Sequence, residues 1–326
     1  TPKPSSAASD VYKRQGLLAA AAILANSLNV QANPTSINIL TGGTSGVYYP
    51  LGMSLSDLYS ERIADSTTSV RATKASVENL NLLQIARGQL AFALGDSVAD
   101  AWKGDEEAGF RAPRDRLRAI AGIYPNYIQI VASKASGITS LEDLRGKRIS
   151  VGAPRSGTEL NARAIFKAAG LSYEDMGHVE FKPYAESVAL IERGQLDATL
   201  QSAGLGMAAI RDLAERVPIT FVAIPEQVVS RIGSSAYQSG TIPAGTYKGQ
   251  GSDVTTATIT NVLVSQTSVS DAVAYQMTKL LFENLDRLAD AHPAAKDIRL
   301  ERATSGLPIP LHPGAERFYR EVGVLK

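Results

Sequence analysis

Apolar residues recur at helical spacing over Val77, Leu80 and Leu83, and again at Val188 and Ile191. Each pattern stops at a glycine, Gly88 or Gly194, read as a left-handed helix cap, and a short apolar strand follows. The two stretches are nearly the same sequence: IARGQLAFAL at 85–94 and IERGQLDATL at 191–200. Upstream landmarks repeat in the same order. Ser76-Val77 matches Ser187-Val188, and Ser45-Gly46 matches Ser156-Gly157, both at an offset of 111 residues. Each Ser-Gly pair lies between a strand (37–40; 148–152) and a helix, so each half reads β-α-β-α-β, which predicts parallel strands with right-handed crossovers.

The predicted fold class is therefore α/β and two-lobed, with two parallel-type sheets flanked by helices and joined by a two-strand hinge. YIQIVAS (127–133) is the outbound crossing strand and TTATITNVLVSQ (255–266), rich in β-branched residues, the return. These crossings divide the chain into an N-terminal extension and signal peptide (1–32), lobe 1 (33–126 and 255–326) and lobe 2 (127–254). The turn-rich segment 234–253 is expected to be a surface excursion. In open α/β sheets the ligand crevice lies beyond the carboxyl ends of the strands, so two facing sheets place two sets of loops across one cleft.

The extension is processing information. Lys13-Arg14 precede GLLAAAAILA (16–25), and Val30-Gln31-Ala32 fits a small-x-small cleavage pattern, as in a secretory signal peptide. TPKPSSAASDVYKRQ (1–15) reads as a cloning scar and is set apart from the fold. Localisation is expected to be periplasmic. Charge adds no partner: 33 basic and 32 acidic residues leave no footprint for nucleic acid. The absence of cysteine removes thiol catalysis, disulfides and thiolate metal sites, and the three histidines, His178, His292 and His312, are too dispersed for a local ligand pair. No metal and no cofactor is expected.

Candidate ligand contacts sit in the strand-to-helix loops. In ILTGGTSGVYYPLG (39–52), Gly43 and Gly46 allow close backbone approach, and Thr44 and Ser45 offer hydroxyls beside helix N-terminal amides, which suits an anionic oxygen. The loop lacks the P-loop lysine, the dinucleotide glycine spacing and the G-x-S-x-G elbow. Tyr48 and Tyr49 fit either core packing or a roof over the cleft. APRSGTEL (153–160) is the counterpart. Ser156 and Glu159 match a helix capping box, while Ser156, Gly157 and Thr158 face the cleft and Arg155 supplies a nearby cation. Thr73, Ser76, Asp96 and Gln201 follow other strands, with Ser76 and Ser187 also suited to helix N-caps and Asp96 to either an amino group or a helix start. Tyr124 stands at the hinge.

Together TGGTSGVYYPLG, SVENLNLL, AFALGDS, GAPRSGTELNAR and GLPIPLHPGAERFYREVG, collinear from about residue 36 to the C-terminus, resemble the TAXI-type substrate-binding subunits of TRAP transporters. The resemblance implies a type II periplasmic-binding-protein fold and capture of a small organic anion such as glutamate, glutamine or a dicarboxylate. It implies delivery to TRAP membrane permease subunits driven by an ion gradient, by a monomeric binding protein. It carries ligand contact onto Gly43, Thr44, Ser45, Gly46, Tyr48 and Tyr49, and onto Ser156, Gly157 and Thr158. Arg155 departs from the pattern, which has a small residue such as glycine there. HPGAERFY (312–319) is expected to be scaffold or permease-docking surface. An extracytoplasmic sensory module is the alternative. An enzyme on the same scaffold, with Asp96, Glu159 or Ser45 as catalytic groups, is a further alternative that His178 within reach of Ser45 or Ser156 would revive.

Overall fold

A computed structural model describes residues 35–326, so the extension and signal peptide at 1–32 lie outside the described residues. Among those described, no helix is long and apolar enough to cross a membrane. Residues Ser36–Lys326 form one compact unit. The first β-α-β-α-β run is β1 (Thr35–Leu40), α1 (Tyr48–Arg62), β2 (Ser66–Arg71), α2 (Ser76–Gln84) and β3 (Leu90–Leu94), followed by α3 (Gly95–Lys103). The chain then crosses in β4 (Leu117–Ser133). The second run is β5 (Arg148–Ser150), α4 (Gly157–Ala169), β6 (His178–Glu180), α5 (Tyr184–Glu192) and β7 (Ala198–Ala203). After it come α6 (Ala208–Arg216), β8 (Ile219–Val222), α7 (Glu226–Arg231) and β9 (Tyr237–Ile242). The return strand β10 (Val254–Gln266) leads to α8 (Asp271–Glu283), α9 (Leu285–Ala291) and α10 (Pro313–Glu321).

The strands join in a single mixed sheet in the order β2-β1-β3-β10-β4-β7-β5-β6, with β8 on β4 and β9 on β10. β1–β3, β5–β6 and β5–β7 are parallel, as the two repeats predict. The crossing strands are antiparallel to their neighbours and to each other, and they hydrogen-bond the two parallel sets into one surface. β4 is longer than the predicted 127–133, and runs unbroken from Leu117.

Alternation decides which layer each strand residue enters. Ile37 and Ile39 pack with Leu51, Leu55, Leu58 and Tyr59 of α1, whereas Leu40 turns to Val77, Leu80 and Leu83 of α2. In the second run Ile149 and Leu200 pack under Ala162, Ile165 and Phe166 of α4.

The shared IxRGQL segment closes its two helices differently. Gly194 takes the left-handed conformation (φ 68°), as predicted. In the first copy Ala86 takes it (φ 56°), and Gly88 is instead needed for space, because a Cβ there would lie 2.6 Å from Leu40 Cδ1. The segment 234–253 is not a plain surface excursion. It contributes β9 to the sheet and buries Tyr237 and Tyr247.

Two His-Pro pairs open helical turns. His312 Nδ1 accepts from Gly314 N–H (3.2 Å) while Nε2 meets Val269 O (3.0 Å), and His292 Nδ1 accepts from Ala294 N–H (3.1 Å). Each Nδ1 must keep its lone pair, so both imidazoles are neutral in the fold. Burial lowers both pKa values, and Arg211 lowers that of His292 further. The unfolded chain therefore binds more protons than the folded one just below the ordinary histidine pKa of about 6.5. The stability these caps contribute is complete above that pH and is lost as pH falls through the depressed values. Melting temperature should drop between pH 7 and 5, with a shallower slope in His312→Asn, which caps without titrating; parallel slopes would refute the assignment.

Candidate functional site

The loops after the parallel strands enclose a cavity of about 120 Å³. Gly42, Gly43, Gly46, Val47 and Tyr48 come from the loop after β1, Thr73, Lys74, Ala75 and Ser76 from that after β2, and Leu94 from the end of β3. Ala153, Ser156, Gly157 and Thr158 follow β5, Pro183 and Tyr184 follow β6, and Ser202 and Ala203 end β7. Tyr124 and Asn126 of β4 are also in the lining. The first turns of α1, α2, α4 and α5 thus all reach this one space, each with unspent N–H groups and the positive end of its dipole. Lys74, exposed at the rim, is the only charged residue in the lining.

The two loop sets touch. A Cβ on Gly157 would lie 2.7 Å from both Leu94 Cδ1 and Ser76 Oγ, and one on Gly46 would lie 3.6 Å from the Tyr184 ring. Ala209 N–H donates to Ser45 O (3.4 Å), and Arg163 Nη1 donates to Glu107 O (3.1 Å). Asp96 Oδ2 accepts from Asn161 Nδ2 (2.7 Å) and from Tyr237 OH (2.7 Å). Burial pushes the Asp96 carboxyl up from its ordinary value, opposed by hydrogen bonds from Tyr237, the Ser97 N–H and Asn161. Burial likewise raises the phenols of Tyr48, Tyr124 and Tyr184, so they present neutral hydroxyls.

Tyr48 packs in the core and also lines the cavity. Its ring stacks on Phe92 with centroids 5.1 Å apart, and its hydroxyl donates to Asn261 Oδ1 (2.5 Å). Ala75 holds φ 69° and ψ −142°, a region costing a residue with a Cβ about 1–3 kcal/mol, and it does so in the cavity wall. Two buried polar atoms in the lining, Tyr124 OH and Asn126 Oδ1, have no hydrogen-bond partner among the described residues. Native proteins rarely leave such atoms unpaired without a ligand or water to meet them.

Of the residues singled out from sequence, Gly43, Gly46, Tyr48, Thr73, Ser76, Tyr124, Ser156, Gly157 and Thr158 line the cavity. Thr44, Ser45, Tyr49, Asp96, Arg155 and Gln201 do not. Thr44 is exposed, Ser45 meets the opposite loop set through its carbonyl, and Tyr49 is one position round α1 from the lining. Asp96 lies buried in the Asn161–Tyr237 contact. Arg155 is exposed at φ 61°, in the left-handed region that a glycine would occupy without strain. Gln201 is buried one residue before Ser202 in β7 and is not among the lining residues.

The cap readings need two corrections. Ser156 accepts from Glu159 N–H (3.2 Å), but the Glu159 carboxylate accepts from Arg163 Nε (2.6 Å) and Tyr173 OH (2.9 Å), so only half a capping box forms. Ser76 and Ser187 fall inside their helices. Ser76 Oγ accepts from Leu94 N–H (3.1 Å), and Ser187 Oγ donates back to Pro183 O (3.0 Å). His178 is exposed beside Glu180 and is not in the lining, so it does not reach the cavity serines. Tyr184 escaped sequence reading, although the repeat offset of 111 carries Thr73 onto it.

The crossing strands, the two parallel sets and the enclosed cavity between their loops define the two-lobed α/β fold of periplasmic binding proteins. The chain belongs to the NMT1-like family, whose model matches residues 39–323. Among solved structures it is similar to PhnD1 from Prochlorococcus marinus in complex with methylphosphonate, at 13% identity and TM-score 0.55, over 90% of this chain and 100% of that one. It is also similar to the alkanesulfonate-binding protein SsuA from Xanthomonas axonopodis pv. citri bound to MOPS, at 15% identity and TM-score 0.51, over 90% and 96%. A third is a binding protein component of an ABC phosphonate transporter from Pseudomonas aeruginosa, at 9% identity and TM-score 0.50, over 80% and 79%.

Proposed function

We propose that this protein is an extracytoplasmic solute-binding protein that encloses a small organic anion and hands it to a membrane permease. The observation that carries this reading is the pair of unpartnered polar atoms, Tyr124 OH and Asn126 Oδ1, in a cavity that four helix N-termini and Lys74 make favourable to negative charge. Membership of the NMT1-like family and the anionic ligands named for the fold relatives support it. On this reading lobe 1 (33–126 and 255–326) and lobe 2 (127–254) part and close about β4 and β10, and the leader at 1–32 directs the chain to the periplasm.

The permease is either a TRAP-type, ion-gradient-driven one, as the sequence resemblance implies, or an ABC-type one, as for the Pseudomonas aeruginosa relative. Among ligands, one cation in the lining fits a single full negative charge better than two. Glutamine, glutamate or a monoanionic sulfonate or phosphonate is therefore favoured over a simple dicarboxylate. Differential scanning with carboxylates, amino acids, sulfonates and phosphonates, together with native mass spectrometry of the purified protein, tests this. At least one small anion should raise the melting temperature, and a panel without effect would overturn the proposal.

A further inference from the structure

Buried hydroxyls and amides own few protons, and the neighbours of Asn126 spend theirs in one direction. The chain starts at Asp96, whose Oδ1 accepts from Ser97 N–H (2.7 Å) and whose Oδ2 accepts from Tyr237 OH and Asn161 Nδ2 (2.7 Å each). Three donors converge on its two oxygens, which accept from all of them, so the Asn161 amide turns its NH₂ toward Asp96 and its Oδ1 away. That Oδ1 lies 2.6 Å from Ser202 Oγ, which must therefore donate its single proton there. Ser202 Oγ then has only lone pairs left for its other neighbour, the Asn126 amide at 2.5 Å, which must present Nδ2. Asn126 Oδ1 is left with no partner among the described residues, on a residue that lines the cavity and is only 1% exposed.

A second chain ends the same way. Tyr184 OH donates to Ser202 O (2.7 Å), so Thr158 Oγ1, 2.5 Å from the Tyr184 oxygen, is the donor of that pair and keeps only lone pairs for the cavity.

We propose that Asn126 is a specificity-determining residue, and that Asp96, Asn161 and Ser202 are positioning residues that lock its Oδ1 toward the ligand, so the cavity selects small anions carrying an N–H or O–H donor over same-sized anions without one. This deepens the small-anion reading and rests on it. An anion lacking the donor would bury Asn126 Oδ1 unpaired, the arrangement by which a site built for hydrogen bonding rejects an analogue most strongly. The same polarity gives Asp96, outside the lining, a role in recognition at a distance.

Calorimetric titration of matched acids tests the inference: lactate against propionate, malate against succinate, and glutamate against glutarate, with the parent, Ser202→Ala and Asp96→Asn. In the parent the donor-bearing member of any pair that binds should do so at least about tenfold more tightly. In Ser202→Ala, where the Asn126 amide is free to turn, and in Asp96→Asn, where the first link can reverse, that ratio should fall toward one, with circular dichroism reporting the fold. Loss of affinity with an unchanged ratio would be a merely structural effect and would overturn the relay. Equal affinities within pairs in the parent would also overturn it while leaving the small-anion reading intact, whereas no binding by any of these acids, nor by isethionate and ethanesulfonate as a fourth pair, nor by any phosphonate would overturn both.

Discussion

Gly157→Val is expected to weaken binding of the most tightly held small anion by about ten- to a hundredfold, while the ligand-free protein melts within a few degrees of the parent. Gly157 opens α4 on one side of the cavity, and its nearest neighbours come from the other side: a Cβ would lie 2.7 Å from Leu94 Cδ1 and from Ser76 Oγ. Ser76 cannot easily retreat, because its hydroxyl holds the Leu94 N–H. Valine would add two methyl groups beyond that Cβ. Overpacking of this kind costs about 1–3 kcal/mol, and on the proposed opening and closing of the lobes the cost falls on the enclosed state alone, lowering affinity by about tenfold for each 1.4 kcal/mol. Titration calorimetry measures the affinity, and solution scattering with ligand present should show a larger radius of gyration than for the parent. Unchanged affinity would mean that ligand is held without these loops meeting.

The largest loss of stability should come from one methyl group at the far end of the chain. Gly314, in the first turn of α10, packs against the start of α8 so closely that a Cβ would lie 2.1 Å from Asp271 O and 2.7 Å from Tyr275 N. Both are backbone atoms, so no rotamer relieves the contact and the helices themselves must move. They carry Met277, whose carbonyl accepts from Tyr59 OH (3.1 Å), and Tyr319, whose hydroxyl donates to Ile120 O (2.9 Å). Gly314→Ala is therefore expected to cost about 3 kcal/mol or more, beyond the ordinary helix gain of alanine over glycine. Urea denaturation measures it, and a variant as stable as the parent would contradict the packing. The His-Pro-Gly run at 312–314 is scaffold by the same token: His312 caps the turn from a buried position.

Periodicity and the internal repeat made the strand and helix order readable, because alternation and helical spacing are set locally. The repeat also located the paired loops after β1 and β5, which face each other across the cavity. Three features lay beyond it. Whether Ser156 and Glu159 close a capping box depends on Arg163 and Tyr173, and Tyr173 is a residue that only the fold brings to the Glu159 carboxylate. Whether Gln201 or Ser202 faces the ligand turns on the phase of β7, which a uniformly buried strand does not reveal. The segment 234–253 looks like loop because glycine and proline punctuate it, yet β10 offers an edge that β9 completes. Tyr124, by contrast, was legible as a candidate site residue beside the crossing strand, while the significance of Asn126 depends on a proton inventory running to Asp96.

The arrangement of the crossing strands bears on how the chain folds. β10 lies between β3 and β4 in the sheet, yet it is encoded only after residue 253. The first three strands therefore wait with an open edge at β3 until about three quarters of the polypeptide has been made, and β4 waits with them on the side β10 will occupy. Most pairings that join the sheet are distant in sequence, the situation in which loop-closure entropy must be met before contacts compensate for it and folding is slow. The second parallel set already has β4 to pair with, so the late strand is what joins the first set to it.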